Sequence, residues 1–152
     1  MEQKHIELVQ SSFQHVIPIA DTAMEIFYSK LFERNPDLIA LFPKSETGMG
    51  AQRNKLRDML VAAVNGLSDI PALVPVLQSL GKRHVSYGVE DKHYDDVGAA
   101  LIGTLEAGLG EAFTPDVKDA WVKVYGVMSS TMITAANEVE PAPVKKWYEV
   151  WK

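Results

Sequence analysis

The stretch Leu73-Val74-Pro75-Val76-Leu77-Gln78-Ser79-Leu80-Gly81-Lys82-Arg83-His84 places three leucines and a histidine at offsets 0, 4, 7 and 11. On an α-helix that spacing puts all four on one face, so His84 shares the side that the leucines turn towards a core. Taken alone, an inward histidine is better explained as a hydrogen-bonded core residue than as a ligand. A buried imidazole has one special use, however. Its neutral nitrogen is a strong ligand for iron, while the other ring N–H is held by a protein acceptor.

The same period runs outward in both directions. Leu56, Met59, Leu60, Ala63, Val64 and Leu67 form a stripe that stops near Ser68-Asp69-Ile70-Pro71. Before it, Ile6, Val9, Phe13, Val16 and Ile17 form one stripe up to a bend at Pro18, and Ala23, Phe27 and Leu31 form another up to Asn35-Pro36. Phe42-Pro43 and residues 48–50 read as a loop. Asp91 is placed to cap a helix carrying Val97, Leu101 and Leu105, which ends around residues 108–110. Thr114-Pro115, a capping hydroxyl followed by proline in the first turn, opens the helix of Trp121, Val124, Tyr125, Met128 and Met132. No segment alternates with period two. An all-α domain of six or seven helices is expected.

Composition narrows the function classes. The 152 residues allow one domain with a core, and a formal net charge of -5 argues against nucleic acid or an anionic membrane surface as a partner. There is no cysteine, which excludes disulfides, thiolate-ligated haem, iron–sulfur clusters and cysteine nucleophiles. Met1-Glu2-Gln3-Lys4-His5 carries charge where a signal peptide is apolar, so a cytoplasmic location is expected. His5, His15 and His93 lack metal-site spacing and are expected at the surface. Gly108-Leu109-Gly110 follows no strand and lacks the third glycine of a dinucleotide loop.

Six pieces stand in register: residues 27–36 (Phe27-Tyr28 through Asn35-Pro36), Leu41-Phe42, Gln52-Arg53 with Leu56, Leu80-Gly81-Lys82-Arg83-His84, residues 93–98 and residues 120–126. In order and spacing the chain resembles globins up to about Glu138, above all bacterial single-domain globins and the globin domain of flavohaemoglobins. Residues 113–126 are also similar to neuroglobin. The resemblance implies a globin fold over residues 1–139, a short extension at 140–152, and a haem b cofactor held by His84 as the proximal iron ligand. It places Phe42 against the haem plane and Tyr28, Gln52 and Leu56 on the distal side. Val89, Tyr94 and Val97 complete the implied lining. Lys82 and Arg83 can meet haem propionates or simply form a solvated face.

The implied roles have a physical content. Oxygen held on haem iron carries partial negative charge, so a tyrosine hydroxyl and a glutamine amide aimed at it donate charge-assisted hydrogen bonds. Each contributes about 1.5–3 kcal/mol, roughly ten- to a hundred-fold in affinity. Otherwise Tyr28 only packs and Gln52 is solvated at the pocket mouth. On the proximal side, Tyr94 and Glu138 match positions that flavohaemoglobins use beside the histidine. A carboxylate accepting the imidazole N–H would make the ligand more basic; a solvated helix-end glutamate is the alternative.

Two functions follow from the resemblance. One is an oxygen-binding globin that takes up diatomic gases (oxygen, nitric oxide, carbon monoxide) for scavenging or storage. The other is a nitric oxide dioxygenase, with Tyr28, Gln52, Tyr94 and Glu138 as its catalytic set. The second needs a separate reductase, because 152 residues leave no room for flavin and nicotinamide domains. A gas sensor would need an output domain. After Pro141-Ala142-Pro143, Val144, Trp147, Tyr148 and Trp151 fall at offsets 0, 3, 4 and 7. Such an aromatic face packs back on its own domain or makes a homodimer or partner contact.

Overall fold

The computed structural model describes residues 2–86 and 90–138; Val89 and the aromatic extension lie outside them. Six helices follow in order: α1 (Gln3–Val16), α2 (Ala20–Arg34), α3 (Glu46–Gly66), α4 (Ile70–Ser86), α5 (Asp91–Leu109) and α6 (Pro115–Asn137). Short 3₁₀ turns at Ile17–Ile19, Pro36–Leu41 and Gly110–Ala112 join some of them, and no strand occurs among the described residues. The all-α expectation holds. Among the described residues no helix is long and apolar enough to cross a membrane.

Local chemistry explains most boundaries. Thr114 caps α6 by accepting from the Val117 N–H at 3.3 Å, with Pro115 in the first turn. Gly110 ends α5 at φ +55°, a backbone region that glycine enters without a Cβ clash. Two boundaries differ from expectation. Residues 48–50 are helical rather than loop, because Ser45 caps α3 by accepting from the Gly48 N–H at 3.0 Å. The glycine is required there: a Cβ on Gly48 would fall 2.6 Å from Cβ of Pro43. The cap of α5 is Glu90, not Asp91, and its N–H donates to Nδ1 of His93 at 3.0 Å.

The broadest packing is α4 on α6, α2 on α5 and α1 on α6, whereas α3 lies on α2 and meets α4 only lightly. Leu31, Leu105, Val9 and Val124 are the largest fully buried side chains. Trp121 crosses from α6 to α1, where its Nε1–H donates to Ser12 Oγ at 2.8 Å and its ring packs against Phe13. His5 and His93 are buried, not at the surface as expected. His5 falls on the inner face of α1 beside Ile6 and faces Asp119, 3.6 Å away; His93 is drawn in by its bond to the α5 cap.

Asp96 staples α5 to the end of α2. It accepts from Asn35 Nδ2 at 3.0 Å and from Arg34 Nε at 2.8 Å. The Asn35 amide, then the Arg34 guanidinium, hold its carboxyl below the usual carboxylate range. A depressed folded-state pKa contributes stability that is present above the unfolded value of about 3.9 and lost as pH falls through the folded value. Asp96→Asn is therefore expected to cost about 1 kcal/mol at pH 7 in urea unfolding, with the deficit shrinking below about pH 4. An equal deficit at both pH values would refute the ionic part of this staple.

Candidate functional site

The leucine stripe of α4 is realised, with Leu73 and Leu77 buried, Leu80 half-buried and His84 half-buried in line with them. His84 Nδ1 lies 3.1 Å from the Tyr94 hydroxyl on α5. Burial, and secondarily the neighbouring Arg83 cation, push the His84 imidazole below its ordinary pKa, so it is neutral at pH 7. Burial, with a contribution from Asp91, raises Tyr94 and keeps it a neutral phenol. In the tautomer with its proton on Nδ1, His84 donates to Tyr94 and Nε2 becomes the basic nitrogen. That is the arrangement an iron ligand needs.

Behind this pair stands a residue that sequence reasoning treated only as core. The Tyr125 hydroxyl on α6 donates to the Tyr94 backbone carbonyl at 2.5 Å. Burial pushes its phenol far above the ordinary tyrosine range, so it remains a donor throughout the physiological range. Gly98 makes space for the ring, since a Cβ there would fall 2.7 Å from Tyr125 Cε2. The available signal was a tyrosine on an apolar stripe, whose hydroxyl must find a partner when buried.

A second polar group forms where α2 meets α3. Tyr28 is buried, and the Gln52 amide donates to its oxygen at 3.3 Å. Phe42 meets Tyr28 edge-on at 5.4 Å between ring centroids and Phe32 likewise at 5.4 Å. Burial raises the Tyr28 pKa, against smaller opposing effects of the Gln52 bond and the Arg53 cation. The expectation was two donors aimed side by side at one ligand. Instead, Gln52 donates into Tyr28, which leaves the phenolic hydrogen as the forward donor of a coupled pair.

Leu56, one turn past Gln52, and Val97, near one turn past Tyr94, are half-buried and pack at the margin of the core. Val89 lies outside the described residues. Glu138 is not brought into the site: it is exposed at the C-cap of α6, and its carboxylate has no hydrogen-bond or ion-pair partner among the described residues. Tyr94 engages His84 directly in its place.

These residues fit a haem. No group of three or more His, Asp or Glu side chains that could hold a metal ion occurs among the described residues. Haem iron brings most of its ligands in the porphyrin, so one protein nitrogen such as that of His84 suffices to hold it. The half-buried apolar side chains Phe42, Leu56, Leu80 and Val97 suit its ring.

A family model, Globin, matches residues 25–132. The chain belongs to the globin family. This globin is 30% identical over 133 residues to a flavohemoprotein of Bacillus subtilis, covering 88% of this chain and 33% of that protein. It is 34% identical over 111 residues to a flavohemoprotein of Chromobacterium violaceum, covering 73% of this chain and 28% of that one. The chain thus spans about a third of the length of these flavohemoproteins. Neuroglobin of Dissostichus mawsoni is 30% identical over 144 residues, with 87% of this chain and 90% of that protein covered. Among solved structures, a flavohemoglobin from Malassezia yamatoensis with bound FAD and heme superposes with a TM-score of 0.73 at 21% identity. It covers 91% of this chain and 37% of that one, and so supports the shared fold.

Proposed function

We propose that this globin binds haem b through Nε2 of His84 and takes up oxygen reversibly, with high affinity, for scavenging or storage. Haem, if bound, would supply an iron able to take up oxygen, nitric oxide or carbon monoxide. The protein's own part is to orient that histidine and to present a donor to the gas. His84 Nδ1 is hydrogen-bonded to the Tyr94 hydroxyl, which orients the ring, and Tyr94 is held in place by Tyr125. The observation that carries the reading is the buried Tyr28, packed against Phe42 and joined to the half-buried Gln52. A phenol that accepts from Gln52 keeps its own hydrogen to donate to a bound gas.

With Gln52 donating into its oxygen, Tyr28 is the residue whose loss removes the charge-assisted bond. Tyr28→Phe is expected to speed oxygen release by at least about tenfold in stopped-flow displacement, the equivalent of about 1.5 kcal/mol or more. Gln52→Leu is expected to have the smaller effect, because it acts through Tyr28. An unchanged off-rate in Tyr28→Phe would reduce that residue to packing.

The second reading is nitric oxide dioxygenase, which converts nitric oxide and oxygen to nitrate and draws electrons from a separate reductase. It is supported by the hydrogen bond between His84 Nδ1 and Tyr94, which makes the ligand more electron-rich in the tautomer with its proton on Nδ1, and by the likeness to flavohemoproteins. Steady-state consumption of nitric oxide by the holoprotein with a supplied flavin reductase separates the two. Sustained turnover with nitrate as product establishes the enzyme. A single turnover that halts at ferric protein despite the reductase leaves the oxygen-binding role.

A further inference from the structure

We infer that His93 is a pH-responsive positioning residue: its unprotonated Nδ1 caps α5 and thereby aims Tyr94 at His84, and a proton taken up in mild acid releases both. The usual acceptor for the N–H that precedes a helix is a glutamate or glutamine at the third helical position. A glutamine oxygen accepts at any physiological pH. In α5 that position holds an imidazole, the side chain that gains a proton between about pH 5 and 8.

The contacts of the ring admit one tautomer. The Glu90 N–H donates to His93 Nδ1 at 3.0 Å, so Nδ1 carries a lone pair and the ring proton sits on Nε2. Nε2 in turn faces the Glu90 carboxylate at 3.6 Å, which stabilises a proton there. The His93 N–H donates back to the Glu90 carbonyl at 3.0 Å and closes the first turn of α5 on itself. His93 is buried, so water is poorly placed to take over from Nδ1. A proton on Nδ1 sets two N–H groups face to face, and the closure is lost.

Tyr94 is the next residue in the chain. Tyr125 pins its carbonyl, and its hydroxyl lies 3.1 Å from His84 Nδ1. The direction of its ring is set from the other side by the turn that His93 closes, so loosening the cap reaches His84 through Tyr94. The charged groups around the imidazole are Glu90, with Lys92 at 3.5 Å from the same carboxylate, and Asp96 one turn on, behind which Arg34 stands on α2. The carboxylates favour the imidazolium and the cations oppose it. They set where the proton arrives, but none of them lets a protonated Nδ1 accept. The consequence for iron rests on His84 as its ligand; the switch itself needs no haem.

The test is NMR of the isotope-labelled full chain as purified, under carbon monoxide and dithionite so that any haem is diamagnetic. Between pH 7.5 and 5.5 the His93 Nδ1 signal is expected to become that of a protonated nitrogen. In step with it, the Glu90 amide should exchange about fivefold faster relative to its intrinsic rate, the loss of one cap, and the Tyr94 ring signals should move. His93→Gln, which accepts without titrating, is expected to keep slow exchange and fixed Tyr94 signals over that range, and His93→Leu to exchange fast at both pH values. Comparing proteins at the same pH cancels titration elsewhere, His84 included. A pH response in His93→Gln equal to the wild type would overturn the switch. So would a His93 that stays unprotonated down to pH 5, or Tyr94 signals indifferent to its proton. In the ferrous protein without gas, the iron–histidine stretch in resonance Raman is expected to shift between the two pH values in the wild type but not in His93→Gln. A band present but insensitive to pH would overturn the reach of the switch to His84. No such band, beside intact NMR responses, would refute His84 as the ligand instead.

Discussion

His84→Ala, expressed with haem available, is expected to yield protein with no Soret band or one lost on gel filtration. Adding millimolar imidazole is expected to restore it. On the proposed reading the effect is large because the His84 nitrogen would be the protein's bond to iron, while the half-buried apolar side chains of the site supply area but no direction. The variant also leaves the Tyr94 hydroxyl without its imidazole partner, a cost of about 1–3 kcal/mol that circular dichroism and urea unfolding of the apoprotein would register separately. Imidazole rescue distinguishes loss of a ligand from loss of the fold. Retention of a wild-type Soret band in the variant without imidazole would remove His84 from the proximal position.

Gly81→Ala is expected to be the most damaging glycine-to-alanine change among the described residues. Its Cβ would fall 2.2 Å from the Met132 carbonyl oxygen and 2.8 Å from the adjoining carbonyl carbon and Cα. These are backbone atoms of a packed helix and cannot rotate away, so α4 must lift from α6. The cost is expected at the upper end of overpacking, about 3 kcal/mol or more. In a chain of this size that lowers Tm by roughly 6–12 °C. Gly126→Ala is the natural control, because nothing lies within 4 Å of its added Cβ. There the gain in helix propensity, up to about 1 kcal/mol, should raise Tm. Gly81 also sits one turn before His84, so its variant should hold haem less firmly than its remaining stability alone predicts. Equal Tm values for the two alanine variants would contradict the close α4–α6 crossing.

Much of the fold was legible in the chain because the signals were local. The stripes of α1 to α6 and the Thr114-Pro115 start depend on residues within a few positions of one another, and they appear where the spacing put them except at Ile17, which opens a 3₁₀ turn beyond α1 and is exposed. The misjudged boundaries were also local, but they turned on partners that a periodicity scan does not weigh. Ser45 captured the Gly48 N–H, and the His93 ring captured the Glu90 N–H. Burial of His5 and His93 was missed for a related reason. Histidine is neutral enough at pH 7 to enter a core once one polar partner is at hand, and composition does not reveal the partner.

The sequence by itself determined the helices, the inward face that ends in His84 and, through six short pieces in register, a likeness to one family. It could also nominate Tyr28, Phe42, Gln52, Leu56, Tyr94 and Val97 as a set. Only the tertiary structure decided how the members of that set are joined. Gln52 reaches Tyr28 across 24 positions of chain, and Tyr125 reaches Tyr94 across 31. A hydrogen bond is set by a few tenths of an ångström and an angle, and those are products of helix crossing rather than of spacing along one helix. The tertiary structure therefore made Gln52 a donor into Tyr28, added Tyr125 behind Tyr94, and left Glu138 in solvent at the end of α6.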